Sequence, residues 1–182
     1  MGPYFRKAAD GLPAIDLDPD DASVLRTLII QFLELIGTGE QPRPVVDDPL
    51  ARALGLGVSV RKPEDPVLLR LFPDAYTGDD PAAEEFRRFT EPELREGKRD
   101  NAMTVLADLA APGRRIVLDL ERARAWLGAL NDLRLALGTR LEVDEDVEDQ
   151  LARMSIKDPS RPLLLAYLWL GYLEETLLAS MG

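Results

Sequence analysis

Five Asp-Pro dipeptides, Asp18-Pro19, Asp48-Pro49, Asp65-Pro66, Asp80-Pro81 and Asp158-Pro159, punctuate the chain and offer it fixed points at which helices can begin. An aspartate at the N-cap accepts a hydrogen bond from a free backbone N–H. A proline at the first helical position gives up only an N–H that would have had no helical partner. After the first dipeptide, Leu25, Leu28, Ile29, Phe32, Leu33 and Ile36 recur at helical spacing until Gly37 supplies a stop, which predicts a helix from about Pro19 to Ile36. The next stretch carries Pro42, Pro44, Pro49, Pro63, Pro66 and Pro73 among Gly39, Gly55, Gly57 and Gly78, and permits only short helical turns near Leu50 and Leu69. Such a segment serves equally as a loop wrapped around the helices or as a mobile element that binds a partner.

From Pro81 a helix is expected through EEFRRF to TEPE, where Thr90 and Glu93 have capping-box spacing and would restart the helix with a bend. It continues past Met103, Leu106 and Leu109 to Pro112-Gly113. RRIVLD, Arg114 to Asp119, reads as a short strand. YFRKA, the turn Asp10-Gly11 and AIDLD suggest an N-terminal hairpin that Pro13 marks as an edge. Asp119 then caps a helix through Trp126, Leu127, Leu130, Leu133 and Leu137. The last helix, from about Arg161, is apolar almost all round, which suits the centre of a domain or a subunit interface. Its run Pro162 to Leu173 falls short of the roughly 20 residues that cross a bilayer, and Glu174 and Glu175 close it, so no membrane span is expected.

The expected fold class is therefore mainly α: a single-domain helical bundle with a small β-sheet made of the N-terminal hairpin and a short strand near 114–119. Within one domain of 182 residues, 1–17 is the hairpin, 18–37 the first helix, 38–80 the Pro/Gly-rich loop segment and 81–182 the main helical part. No basic region followed by an apolar one opens the chain, so a cytoplasmic location is expected.

Chemistry is bounded chiefly by two absences. Without cysteine the chain can form no disulfide, zinc-thiolate site, iron-sulfur cluster or thiol switch. Without histidine it lacks the usual general base and the commonest metal ligand. A formal net charge of −11 disfavours direct binding to nucleic acid or to an anionic membrane. The one mildly basic island begins with Arg87, Arg88, Arg95, Lys98 and Arg99 and extends to Arg124. No aromatic pattern interleaves it, so a solvated helix face of mixed charge explains it better than a nucleic-acid site.

Two acidic clusters resemble calcium loops and fail as such. Asp16, Asp18 and Asp20 have the right spacing, but Asp21 stands where glycine is required and Thr27 where a bidentate glutamate is required. Asp144, Asp146 and Glu148 fail likewise at Asp149 and Ser155, and capping or a solvated turn accounts for both clusters. GLGVSVRK has neither P-loop nor dinucleotide-binding spacing, so no cofactor and no metal is expected.

The remaining constellation lies in ALNDLRLALGTRLEV, Ala129 to Val143. On a helix Asn131, Arg134 and Gly138 share a stripe beside the apolar Leu130, Leu133, Leu137 and Leu141, and Asp132 and Arg140 complete a candidate polar or interaction surface. In one arrangement Arg134 pairs with Glu174 or Glu175, and Asn131 bridges backbone groups at a helix crossing. In the other the stripe lines a pocket or meets a partner. Gly138 admits close approach of another backbone in either.

Taken together, LRTLIIQFLELIG, LLRLFPDAY with EEFRRFTEPELREGKRDNA, WLGALNDLRLALGTRL and RPLLLAYLWLGYLEETLL resemble the actinobacterial family catalogued as DUF2017, over essentially the whole chain and in order. The resemblance implies a non-enzymatic regulatory protein acting through protein contacts, since the family includes oxidative-stress transcriptional regulators. It implies as partner a sigma factor or another part of the transcription machinery. A homodimer is suggested by the apolar last helix. The redox cysteines of such regulators have no counterpart here, so no redox-sensing residue is carried over. Two alternatives stay open: an adaptor or assembly factor linked to Clp proteolysis, and a carboxylate-based small-molecule or metal-binding protein. The second predicts a pocket joining Arg134 or Asn131 to clustered acids.

Overall fold

The computed structural model describes residues 4–37, 64–73, 80–111, 113–143 and 146–182, and over 80–88 the backbone alone. Six helices are described: α1 (Pro19–Ile36), α2 (Pro66–Leu71), α3 (Asp80–Ala110), α4 (Leu120–Arg140), α5 (Val147–Arg153) and α6 (Arg161–Met181). Three short strands, β1 (Arg6–Lys7), β2 (Pro13–Asp16) and β3 (Arg115–Val117), form one antiparallel sheet in the order β1-β2-β3. The mainly helical architecture with a small sheet is the one expected. The turn near Leu50 and most of the 38–80 segment lie outside the described residues.

Capping chemistry sets the helix starts. The Asp18 carboxylate accepts from the N–H groups of Asp20 and Asp21 at 3.0 and 2.9 Å, with Pro19 at the first position of α1. Asp65 accepts from Val67 N at 2.8 Å ahead of Pro66 in α2, and Asp119 from Arg122 N at 2.8 Å at the start of α4. Asp158-Pro159 behaves differently. Asp158 accepts from Ser160 N at 2.8 Å and so closes a turn, and α6 starts two residues beyond the proline, with Ser160 at its N-cap. The second acidic cluster, expected as capping or a solvated turn, leads into the short helix α5 with Asp146 at its N-cap position, though without a side-chain cap hydrogen bond.

Two further expectations are corrected. No restart occurs at Thr90: α3 runs unbroken through Pro92. Proline costs that turn a backbone hydrogen bond, but the turn is tied down by its neighbours. Glu91, 4% exposed, pairs with Arg95, and the Arg95 guanidinium stacks 4.3 Å from the ring centroid of Phe72. In addition, Pro13 does not mark an edge, because β2 is the central strand, flanked by both β1 and β3. Proline is tolerated there because it is the first residue of the strand, where its carbonyl still accepts from Leu118 N at 2.9 Å. The hairpin turn does form at Asp10-Gly11. Gly11 takes φ +82°, and Ala8 N donates to Leu12 O at 2.8 Å.

One hydrophobic core joins these elements, with Ile15 from the sheet, Leu25 and Ile29 from α1, Trp126 and Leu130 from α4, and Leu170, Leu173 and Leu177 from α6. α6 buries Leu164, Leu170, Leu173 and Leu177, while Leu163, Leu165 and Leu178 are exposed. It is thus half-embedded, which differs from the centre of a domain, one of the two places its composition suited. By length and composition alone α6, taken whole from Arg161 to Met181 and so past Glu174 and Glu175, could cross a bilayer. Its core-facing leucines account for part of that apolarity.

Candidate functional site

The polar residues of α4 separate into two faces. On the face toward α3, Asp132 is 3% exposed, and Lys98 Nζ donates to its Oδ1 at 2.6 Å. Burial raises the Asp132 pKa, opposed by the hydrogen bond and charge of Lys98. On the face toward α6, Arg134 Nη1 donates to Glu174 Oε2 at 3.2 Å, and its guanidinium lies 5.1 Å from the Tyr167 ring centroid. Burial raises the Glu174 pKa as well, again opposed by Arg134.

Glycines fit these groups together. A Cβ on Gly171 would come within 3.2 Å of Arg134 Nε, so the guanidinium lies across the face of α6 where no side chain projects. A Cβ on Gly138 would lie 3.1 Å from the Tyr167 ring. The close approach expected at Gly138 is therefore to a side chain and not to a backbone. Arg140 Nη2 reaches Asp65 Oδ2 at 3.0 Å and ties the end of α4 to the start of α2.

The expected bridging role of Asn131 is corrected. Its side chain is exposed and makes no hydrogen bond among the described residues. Asn131 lines two cavities. One, about 420 Å³, is walled by Arg70, Arg134, Leu135, Gly138, Glu142 and Tyr167 with neighbouring backbone. The other, about 760 Å³, is a groove between α3 and α4 along Thr90, Leu94, Gly97, Asn101 and Gly128, floored by Lys98 and Asp132. Gly128 makes room for Asn101, whose Nδ2 would stand 2.4 Å from an added Cβ. Leu94 is 49% and Phe89 66% exposed along this helix.

Within the basic island Arg95, Lys98 and Arg99 are engaged inside the fold, whereas Arg114, Arg115 and Arg124 are exposed. Arg95 donates to the carbonyl of Ile36 and Arg99 to that of Gly37 at 2.8 Å, so both cap the C-terminal end of α1, while Lys98 is held by Asp132. The same device recurs. Arg26 donates to Leu109 O at 2.7 Å at the end of α3, and Arg161 to Leu151 O and Met154 O at 2.8 and 3.1 Å at the end of α5. The side chains of Arg87 and Arg88 lie outside those described. In the first acidic cluster, Asp18 is spent as a cap and Asp16 on an ion pair with Arg6. Among the described residues no group of three or more acidic side chains stands close enough to hold a metal ion.

Sequence reasoning missed Arg70, Tyr167 and Gly171. Of these only Gly171 left a signal, an isolated glycine within an apolar helix, which marks close approach. Arg134 occupies a middle position between the two expected outcomes, being both paired with its own chain's Glu174 and part of a cavity wall.

The family model described as a domain of unknown function, DUF2017, matches residues 1–181. The oxidative stress regulator AosR of Mycobacterium tuberculosis is 33% identical over 196 residues, covering 100% of this chain and 84% of its own length. The oxidative stress regulator AosR of Mycobacterium bovis is similar to the same extent, 33% over 196 residues with 100% and 84% covered. No solved structure matches the chain.

Proposed function

This chain belongs to the DUF2017 family, and on that premise we propose that it is a non-enzymatic, cytoplasmic regulatory protein of an oxidative-stress response that acts through protein contacts. The observation that carries this reading is similarity along the entire chain to proteins named as oxidative stress regulators. The chemistry of the chain supports action through a protein. A net charge of −11 repels phosphate backbones. Three of the cations that might have offset it, Arg95, Lys98 and Arg99, are engaged within the fold.

The partner is a component of the transcription machinery, with a sigma factor as first choice. The groove between α3 and α4 is the surface assigned to it. It is concave and bordered by the exposed Leu94, with Phe89 exposed on the same helix, apolar side chains whose removal from water favours association. With no cysteine, a response to oxidant in this chain does not run through thiol chemistry of its own.

Affinity purification from the native host, followed by mass spectrometry, tests the reading. Recovery of a sigma factor or polymerase subunits, lost in the Leu94→Glu variant, is the expected result. Recovery of neither overturns it.

A further inference from the structure

The smaller cavity, between α2, the C-terminal half of α4 and α6, has the composition of a ligand site more than of a packing defect. At about 420 Å³ it falls at the small end of the roughly 300–1,000 Å³ typical of small-molecule pockets. Two of its wall groups are hydrogen-bond donors with nothing to donate to. Arg70 is exposed and makes no ion pair or hydrogen bond among the described residues, and the Asn131 amide makes none either. Arg134 adds a second guanidinium, paired with Glu174 and 44% exposed. Against these stands one lining carboxylate, Glu142. The rest of the wall includes Thr139, whose hydroxyl donates to Leu135 O, and the apolar or aromatic surfaces of Leu135, Val143 and Tyr167.

We infer that this cavity binds a small organic anion, a carboxylate or phosphate attached to a short apolar or aromatic body. The charged end meets Arg70, whose planar fork donates two parallel hydrogen bonds to either group, and Asn131 supplies a further donor. The apolar body lies against Leu135, Val143 and Tyr167. Arg134 remains on Glu174 and contributes field. In a chain of net charge −11, a concave wall that holds the unpaired guanidinium of Arg70 beside the paired one of Arg134, against one lining carboxylate, opposes an anion less than the chain's overall charge does. The site stands independently of the regulatory reading; where that reading holds, the ligand is the signal that a chain without thiols needs.

The test uses the isolated full chain, with phenyl phosphate and phenylacetate as probes and benzyl alcohol as the uncharged comparison, by calorimetry and ligand-observed NMR at low ionic strength. Saturable binding of at least one anion, with benzyl alcohol not bound, is expected, and the tighter of the two anions identifies the phosphate or the carboxylate class. Arg70→Gln should weaken that binding roughly tenfold or more, as loss of a charge-assisted pair does, and Arg124→Gln, an exposed arginine outside the cavity, should leave it unchanged. Absence of saturable binding by either anion, benzyl alcohol binding as tightly, or an equal loss in both variants overturns the inference. None of these results alters partner capture, so the two readings fail separately.

Discussion

Lys98 on α3 and Asp132 on α4 are joined at 2.6 Å in an almost dry setting, the lysine side chain 19% and the aspartate side chain 4% exposed. Removing the lysine leaves a buried carboxylate with no counter-charge, and Lys98→Met should cost about 3 kcal/mol at neutral pH. The sign with pH follows from Asp132, whose pKa burial raises. Between the ordinary aspartate range and that raised value the folded state holds a proton that the unfolded chain has released, so the contribution of this group to stability falls as pH rises through the window. Below it the carboxyl is neutral and needs no lysine. Urea midpoints of Lys98→Met should therefore approach those of the unaltered protein on acidification. An equal deficit at pH 7 and in acid would refute this account.

That pair also shows where sequence reading stops. Lys98 and Asp132 were both visible as candidates, one assigned to a basic face and one to a polar stripe, and nothing in their spacing joined them. Helix starts and core faces were legible at Asp18, Asp65, Asp119, Leu130 and Trp126 because caps and apolar periodicity act within a few residues of one another. The use of Arg95 and Arg99 to cap α1, some sixty positions earlier, depends on how helices cross. Likewise, Arg70 has no local signature; it joins the cavity only because α2 packs on α4.

The Trp126 indole N–H donates to Asp108 Oδ2 at 2.7 Å, and Arg122 donates to both oxygens of the same carboxylate. Asp108→Ala strands an indole donor in the core and frees a guanidinium, and should cost about 3 kcal/mol. Asp108→Asn keeps one acceptor and should cost less than half as much. The check is chemical denaturation followed by fluorescence, with an unchanged dependence on denaturant; equal losses in the two variants would assign the effect to packing.

Gly171 sets up a double-mutant cycle with Arg134. In a helix interior Gly→Ala is worth about 1 kcal/mol of stabilisation, but here the new Cβ would meet Arg134 Nε at 3.2 Å and Cζ at 3.3 Å. The guanidinium must shift off Tyr167 and Glu174. Gly171→Ala is expected to be neutral or destabilising in the unaltered protein and stabilising by about 1 kcal/mol in an Arg134→Ala background. The same change in melting temperature in both backgrounds would mean that Arg134 does not occupy the surface of Gly171.

Asp65 has two partners, and pH separates them. Its pKa is lowered first by the hydrogen bond from Val67 N and only after that by Arg140. A lowered pKa means that its stabilisation is present above the unfolded aspartate value and is lost as pH falls through the folded one. Asp65→Ala should cost about 1 kcal/mol near neutrality, the ordinary worth of an N-cap, and progressively less in acid. Arg140→Ala removes an ion pair whose side chains are 55% and 29% exposed, and should cost less than about 0.5 kcal/mol, leaving most of that acid dependence in place. Asp65→Asn, which can still cap, should stay close to the unaltered protein. If Arg140→Ala matched Asp65→Ala in urea midpoint, the ion pair and not the cap would anchor α2. Arg70 would then be held at the cavity through Arg140 on α4, and losing that arginine would weaken anion binding along with stability.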